Sequence, residues 1–239
     1  MSRSSLPMIE TETPSRRLKP LIGKPAGTLV IHEIYRSLQG EGTFAGLPCV
    51  FVRLTACHLR CTYCDTPHAF QQGEPMPLDR IFDQAIRLGD DLVEITGGEP
   101  LLQPEVLPLM SRLVDAGRTV LLETSGACDI APVDPRVRII LDLKTPGSGE
   151  VVSNLWENLS RLKPTDEVKV VVCDRSDFDW AVEQVRSHRL TEICPVLMAP
   201  AHGEVHPTGL ADWILETGLP LRLQLQLHKL LWGPETRGV

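Results

Sequence analysis

The sequence has no surplus of positive charge. Its 24 Lys and Arg face 31 Asp and Glu, a net charge of −7 over 239 residues. Gripping a nucleic-acid backbone demands clustered Lys and Arg, so no nucleic-acid partner is expected. No apolar run approaches the roughly 18 residues of a membrane span, and the N-terminus lacks the apolar core of a signal peptide. Those two absences argue against a membrane partner and for a cytoplasmic setting. Seven cysteines, an odd number, suit a reducing compartment better than a disulfide framework. Neither an internal repeat nor a long linker is present. One core domain is therefore predicted over 28–239, preceded by an extension over 1–27. That extension mixes Ser, Thr, Pro, Arg and Lys without sustained period and reads as flexible.

What is present is a concentration of thiols. Cys57-His-Leu-Arg-Cys61-Thr-Tyr-Cys64 puts three cysteines within eight residues, spaced C-x3-C-x2-C. Soft thiolates at this density favour an iron–sulfur cluster, zinc or Cu(I). A cubane cluster normally takes four cysteines, so three would leave one iron open to a non-protein ligand. Two other readings compete. Zinc could take His58 as its fourth ligand, although residues adjacent in sequence chelate one tetrahedral ion poorly. The three cysteines also fall at i, i+4 and i+7, one face of a helix, although Pro67 and the polar neighbours make that helix a poor one. Cys49, Cys128, Cys173 and Cys194 read as buried structural thiols.

Around this loop, strands and helices alternate. Strands are predicted over 28–35, 48–54, 91–96, 119–123, 138–143, 167–173, 192–198 and 221–227. Helices are predicted over 78–88, 103–116, 153–162, 176–187 and 208–217, with Ser176 as an N-cap. Alternation of this kind implies an α/β fold with parallel pairing and right-handed crossovers. About six such units fall short of a closed eight-fold barrel.

Three further stretches suit a ligand site. Ser37-Leu-Gln-Gly-Glu-Gly42 is a glycine-rich loop in which Glu41 could accept the paired N–H groups of a guanidine-like ring edge. Arg53 is an arginine inside an apolar strand. It either bridges an internal acid or clamps an anion. Gly97-Gly-Glu-Pro100 ends a strand where parallel sheets gather ligands, and Glu99 could accept bonds from an ammonium group.

The cysteine spacing, with Tyr63 just before the third cysteine, resembles the cluster loop of the radical S-adenosylmethionine (SAM) superfamily. Gly97-Gly-Glu-Pro100 resembles that superfamily's motif for the SAM amino group. Within it, Ser37–Gly42, Phe51-Val-Arg-Leu54, Cys64-Asp-Thr66, Thr96–Pro100, Glu123-Thr-Ser-Gly126 and Gln226-Leu-His-Lys229 are together similar to the family of 7-carboxy-7-deazaguanine synthases. Asp142-Leu-Lys144 departs from the Ser-Pro-Lys associated with that position.

The resemblance implies a partial (β/α)6 barrel of the radical SAM type and a lyase acting on 6-carboxy-5,6,7,8-tetrahydropterin, with ring contraction and loss of ammonia. It implies a 4Fe-4S cluster on Cys57, Cys61 and Cys64, SAM, and Mg2+ on Thr66. SAM would lie along Tyr63, Cys64, Asp65, Gly98, Glu99, Ser125, Asp142, Leu143 and Lys144. The pterin would meet Leu38, Gln39, Gly40, Glu41, Arg53, Thr96 and His228. The implied partners are an electron donor such as flavodoxin or ferredoxin and a second copy of the chain in a homodimer. Two other functions share parts of the pattern: activation of a glycyl-radical partner protein, and a non-catalytic zinc module.

Overall fold

A computed structural model describes residues 14–239. In chain order its main elements are α1 (Pro14–Arg17), β1 (Thr28–Leu38), β2 (Pro48–Leu54), β3 (Glu74–Pro77), α2 (Leu78–Leu88), β4 (Leu92–Gly97), α3 (Val106–Asp115), β5 (Thr119–Thr124), β6 (Arg138–Asp142), β7 (Glu167–Val172), α4 (Arg175–Ser187), α5 (Leu190–Ile193), β8 (Val196–Pro200), α6 (Pro207–Thr217), β9 (Arg222–Leu223) and α7 (Leu227–Leu231). One nine-stranded sheet runs β3-β1-β2-β4-β5-β6-β7-β8-β9. From β2 to β9 neighbours pair in parallel, while β1 runs antiparallel to both β2 and β3. The sheet does not close, as a partial barrel requires.

The parallel strands alternate strictly. Val93, Ile95, Val120, Leu122, Ile139 and Leu141 point outward and pack with Ile81 of α2, Leu109, Met110 and Leu113 of α3, and Phe178 and Val185 of α4. Each such side chain contributes about 1.5–3 kcal/mol by leaving water. The intervening residues face inward. Cys49, Phe51, Leu92, Leu121 and Ile140 form an apolar plug, and Glu94, Thr96, Glu123, Asp142 and Lys169 are buried or half-buried beyond it.

Strand β2 and helix α2 keep their predicted limits. α2 ends where Gly89 adopts φ 90° and returns its N–H to Ile86 O, a left-handed stop that glycine favours. Other expectations need correction. Residues 153–162 form 3-10 turns, not an α-helix. The strand predicted over 192–198 is split, because Pro195 holds Cys194 extended (φ −155°) and ends α5 before β8 begins. Of 221–227 only Arg222 and Leu223 pair. The N-cap of α4 is Asp174, not Ser176; it accepts from Asp177 N at 2.8 Å. β3 has no signature in the sequence, since Pro75 and Pro77 mask it; Pro is tolerated on this edge strand.

Of the predicted extension, residues 1–13 lie outside the described residues. The remainder makes specific contacts: Arg17 Nη1 donates to His58 O at 2.6 Å, and Lys24 pairs with Glu105 at 2.7 Å. Among the described residues no helix is long and apolar enough to cross a membrane.

Candidate active site

The carboxyl ends of β2, β4, β5, β6, β7 and β8 open into one cavity of about 220 Å³. The cysteine loop forms one wall of it. The loop leaves β2 through Ala56, a non-glycine residue at φ 79°. Glu99 N donates to Ala56 O at 2.8 Å, so the two motifs are stitched together. A Cβ on Gly98 would stand 2.2 Å from Ala56 O, and one on Gly97 (φ 146°) would stand 2.2 Å from Leu54 O. Both glycines are therefore demanded by backbone contact with the root of the cysteine loop.

Cys57, Cys61 and Cys64 are free thiols on this wall. Burial pushes Cys57 up to about 12 and raises Cys61 and Cys64 as well, so they stay protonated until a cation holds them as thiolates. A single zinc ion would draw its sulfurs to roughly 3.8 Å apart, given Zn–S bonds of about 2.3 Å. Among the described residues the only trio of His, Cys, Asp or Glu with ligand atoms all within 4.8 Å is His32, Glu33 and His68. The three thiols are spread more widely, as a multi-iron cluster needs. His58, the proposed fourth zinc ligand, does not line the cavity. Glu33 is itself committed to Arg53.

Ionic and hydrogen-bonded side chains make up the opposite wall. Lys169 Nζ pairs with Glu41 at 2.8 Å and also with Glu123. Thr96 Oγ1 donates to Glu123 at 3.0 Å. Desolvation works against the Lys169 charge, but these carboxylates overcome it and hold its pKa well above the usual lysine value. Gln39 Nε2 donates to Glu94, and Gln39 Oε1 accepts from Glu41 N at 3.1 Å. Gln226 Nε2 bridges Glu41 at 2.8 Å and Asp65 at 3.1 Å, while Lys229 pairs with Asp65 at 2.8 Å. Burial alone would raise Asp65; Lys229 and Lys169 pull it down to about 2. Arg53 donates to Glu33 at 2.8 Å and to Tyr35 Oη at 2.9 Å, so it bridges an internal acid while lining the cavity.

Lys144 Nζ pairs with Asp142 Oδ2 at 2.7 Å and lies 5.6 Å from the Tyr63 ring centre. Asp142 Oδ1 and Tyr63 Oη are buried without a hydrogen-bond partner among the described residues. Two orphaned polar atoms on one wall ask for a polar ligand.

Of the substrate-side residues predicted, Leu38, Gln39, Gly40, Glu41, Arg53, Thr96 and His228 all line this cavity. His228 packs so tightly on Gly40 that a Cβ there would stand 2.9 Å from its Nδ1. Tyr63, Asp65, Thr66, Gly98, Ser125, Asp142 and Lys144 line it too. Two other predicted residues, Glu99 and Leu143, are not among those lining the cavity. Glu99 is fully buried and already accepts from Leu101 N, Thr124 Oγ1, Ser125 N and Ser125 Oγ. It braces the loop after β4 against the loop after β5 and does not reach the cavity. Leu143 belongs to the outward-facing core, 2% exposed; only its N–H takes part, donating to Lys169 O at 2.8 Å. Glu33, Tyr35, Glu94, Glu123, Lys169, Gln226 and Lys229 were missed. For Glu94, Glu123 and Lys169 the available signal was a charge inside an otherwise apolar strand.

A family model described as the radical SAM superfamily matches residues 52–146. The crystal structure of QueE from Escherichia coli superposes with a TM-score of 0.69 at 22% identity, covering 90% of this chain and 99% of that one. Fold, thiol loop and match together define a radical SAM protein, a class whose cofactors are a 4Fe-4S cluster and SAM. The 7-carboxy-7-deazaguanine synthase of Koribacter versatilis is 49% identical over 224 residues, covering 87% of this chain and 99% of the relative. That of Chlorobaculum tepidum is 44% identical over 214 residues, covering 88% and 97%. The chain belongs to the 7-carboxy-7-deazaguanine synthase family.

Proposed function

We propose that this chain converts 6-carboxy-5,6,7,8-tetrahydropterin to 7-carboxy-7-deazaguanine with loss of ammonia. The carrying observation is that three free thiols and an acid-and-amide clamp line the same cavity. Cys57, Cys61 and Cys64 hold the cluster, and Asp142 Oδ1 and Tyr63 Oη are the unpaired atoms that SAM satisfies. When bound, these groups would supply radical chemistry for hydrogen abstraction.

The protein's own task is orientation. Glu41, fixed by Lys169 and Gln226, accepts N–H groups of the pterin ring. Arg53, fixed by Glu33 and Tyr35, meets the substrate carboxylate from the other side. Gln39, Thr96 and His228 fill the wall between them. Thr66 Oγ1, 3.9 Å from Cys64 Sγ, would offer Mg2+ one oxygen ligand.

Residues 28–239 act as one core. Seven free cysteines fit a cytoplasmic setting, and the cluster would take its electron from a donor such as flavodoxin or ferredoxin. The exposed Leu223, Leu230 and Leu231 fit a homodimer contact.

The test is anaerobic turnover of reconstituted protein with SAM, reductant, Mg2+ and the carboxytetrahydropterin. Deazaguanine product is expected. Cys61→Ala should lose cluster absorbance and product together, while Cys128→Ala keeps both. Wild-type protein with an intact cluster and no product would sink the reading.

A further inference from the structure

Six carboxylate side chains line the cavity: Glu33, Glu41, Asp65, Glu94, Glu123 and Asp142. Five have a cation, from Arg53, Lys169, Lys229, Lys169 and Lys144 respectively. Glu94 has none among the described residues, although it is only 4% exposed. It sits on the inner face of β4 at the cavity floor, between Leu92 of the apolar plug and Thr96. Its one side-chain hydrogen bond among the described residues is from Gln39 Nε2 to Oε2. Since Gln39 Oε1 already accepts from Glu41 N at 3.1 Å, the Gln39 amide cannot flip. No hydrogen bond from a described residue reaches Glu94 Oε1. A buried carboxylate without a cation is costly, and such groups cluster where ligands bind.

We propose that Glu94 is a substrate-recognition residue that locks the Gln39 amide and offers its free carboxyl oxygen, as an O–H donor, to a carbonyl oxygen on the ring edge of the heterocyclic substrate. This rests on the reaction proposed above. Burial, with the negative charges of Glu123 and Glu41, pushes Glu94 up to about 8, against the pull of Gln39 and Lys169. The carboxyl therefore holds its proton at neutral pH. The other groups facing it are Tyr35 from β1 and Cys49 from β2, both raised by burial and neutral in the same range. Above that range Glu94 becomes acceptor-only and repels a substrate carbonyl.

The experiment measures binding of 6-carboxypterin by fluorescence from about pH 6 to about pH 9 in wild type, Glu94→Gln and Glu94→Leu, with SAM affinity and melting temperature alongside. Glu94→Leu should weaken the pterin roughly 10- to 30-fold, the scale of a lost buried hydrogen bond. SAM affinity should stay within about twofold, and melting should occur at or above the wild-type temperature, since an uncompensated acid has been removed. A merely structural role predicts the opposite shift in melting. Glu94→Gln keeps a donor and should bind within about threefold at neutral pH, while losing the additional alkaline weakening of wild type. Any pH dependence left in that variant belongs to the ligand. Pterin binding by Glu94→Leu within about twofold of wild type, or an unchanged pH profile in Glu94→Gln, overturns the assignment. If wild type binds pterin but makes no product, the proposed reaction falls while Glu94 is judged on these ratios. If wild type binds no pterin, both fall.

Discussion

Leu122 and Glu123 are neighbours on β5 that face two different environments. Leu122 is fully buried among the aliphatic side chains under the helices. Glu123 turns the other way, toward Lys169 and Thr96. The same division runs through Ile95 and Thr96, and through Leu141 and Asp142. The outward face stabilises by removing apolar surface from water, and any aliphatic of the right volume would serve. The inward face opposes folding, because each charge there has left water and must be compensated. One strand thus carries the fold on one set of alternate positions and the site on the other, and the second set is maintained at the expense of stability.

The comparison would be broken most easily at Lys169. Lys169→Met leaves Glu41 and Glu123 buried without their cation. That should cost about 4 kcal/mol, seen as a fall in melting temperature of roughly 8–16 °C, with loss of pterin binding. A fall under about 3 °C would mean that the inner carboxylates are well solvated and that the inward face carries no such cost.

Next in size is Leu122→Ala on the outward face. A cavity at a fully buried leucine should cost about 3 kcal/mol. Here pterin and SAM affinities should stay within about twofold of wild type at a temperature where the variant is folded. If affinity moves as far as stability does, the two faces are not separable.

The pH dependence of stability sharpens the contrast further. Glu94 has a native pKa raised to about 8, above its unfolded value. Between the unfolded value of about 4.3 and about 8 the native state holds a proton that the unfolded chain has released, so stability falls as pH rises through that window. Between about pH 6 and pH 8 wild type should lose about 2 kcal/mol more than Glu94→Gln does. Parallel melting curves for the two across those pH values would place Glu94 in water. An outward-face variant such as Leu122→Ala should keep the wild-type slope.

Much of this architecture is legible in the sequence. The bounds of Pro48–Leu54 and Leu78–Leu88 are readable to the residue because a continuous apolar run and an apolar helical stripe each end at clear punctuation. Errors fall where side chains replace the ladder. Residues 221–227 alternate like a strand, yet Gln224 and Gln226 turn to the loop after β1, donating to Gly40 O and Glu41. The cysteine loop was readable because its chemistry is local. Glu94, Glu123 and Lys169 were not, because a charge on alternate strand positions ordinarily faces water. Only the topology, which curls the sheet around those positions, makes them interior. The partners of Glu99 are unreadable for a related reason: its motif predicts an acceptor, and the groups that donate to it, Thr124 and Ser125, lie at the end of a strand distant in sequence.

The smallest effect tests whether local signals on the outer layer act independently of the site. Asp174 caps α4, its side chain accepting from Asp177 N and Ser176 Oγ. Asp174→Ala should cost about 1 kcal/mol, or roughly 2–4 °C in melting temperature. Asp177, in the first turn of the same helix, also holds the loop after β6, accepting from Thr145 Oγ1 at 2.8 Å and Gly147 N at 2.8 Å. That loop in turn receives Thr62 of the cysteine loop through Ser148 O and Gly147 O. If fraying of α4 travels along this path, Asp174→Ala will also slow cluster reconstitution. Unchanged reconstitution together with the small melting shift is the outcome that separation of the two faces requires, since Asp177 keeps its own three acceptances after the cap is gone.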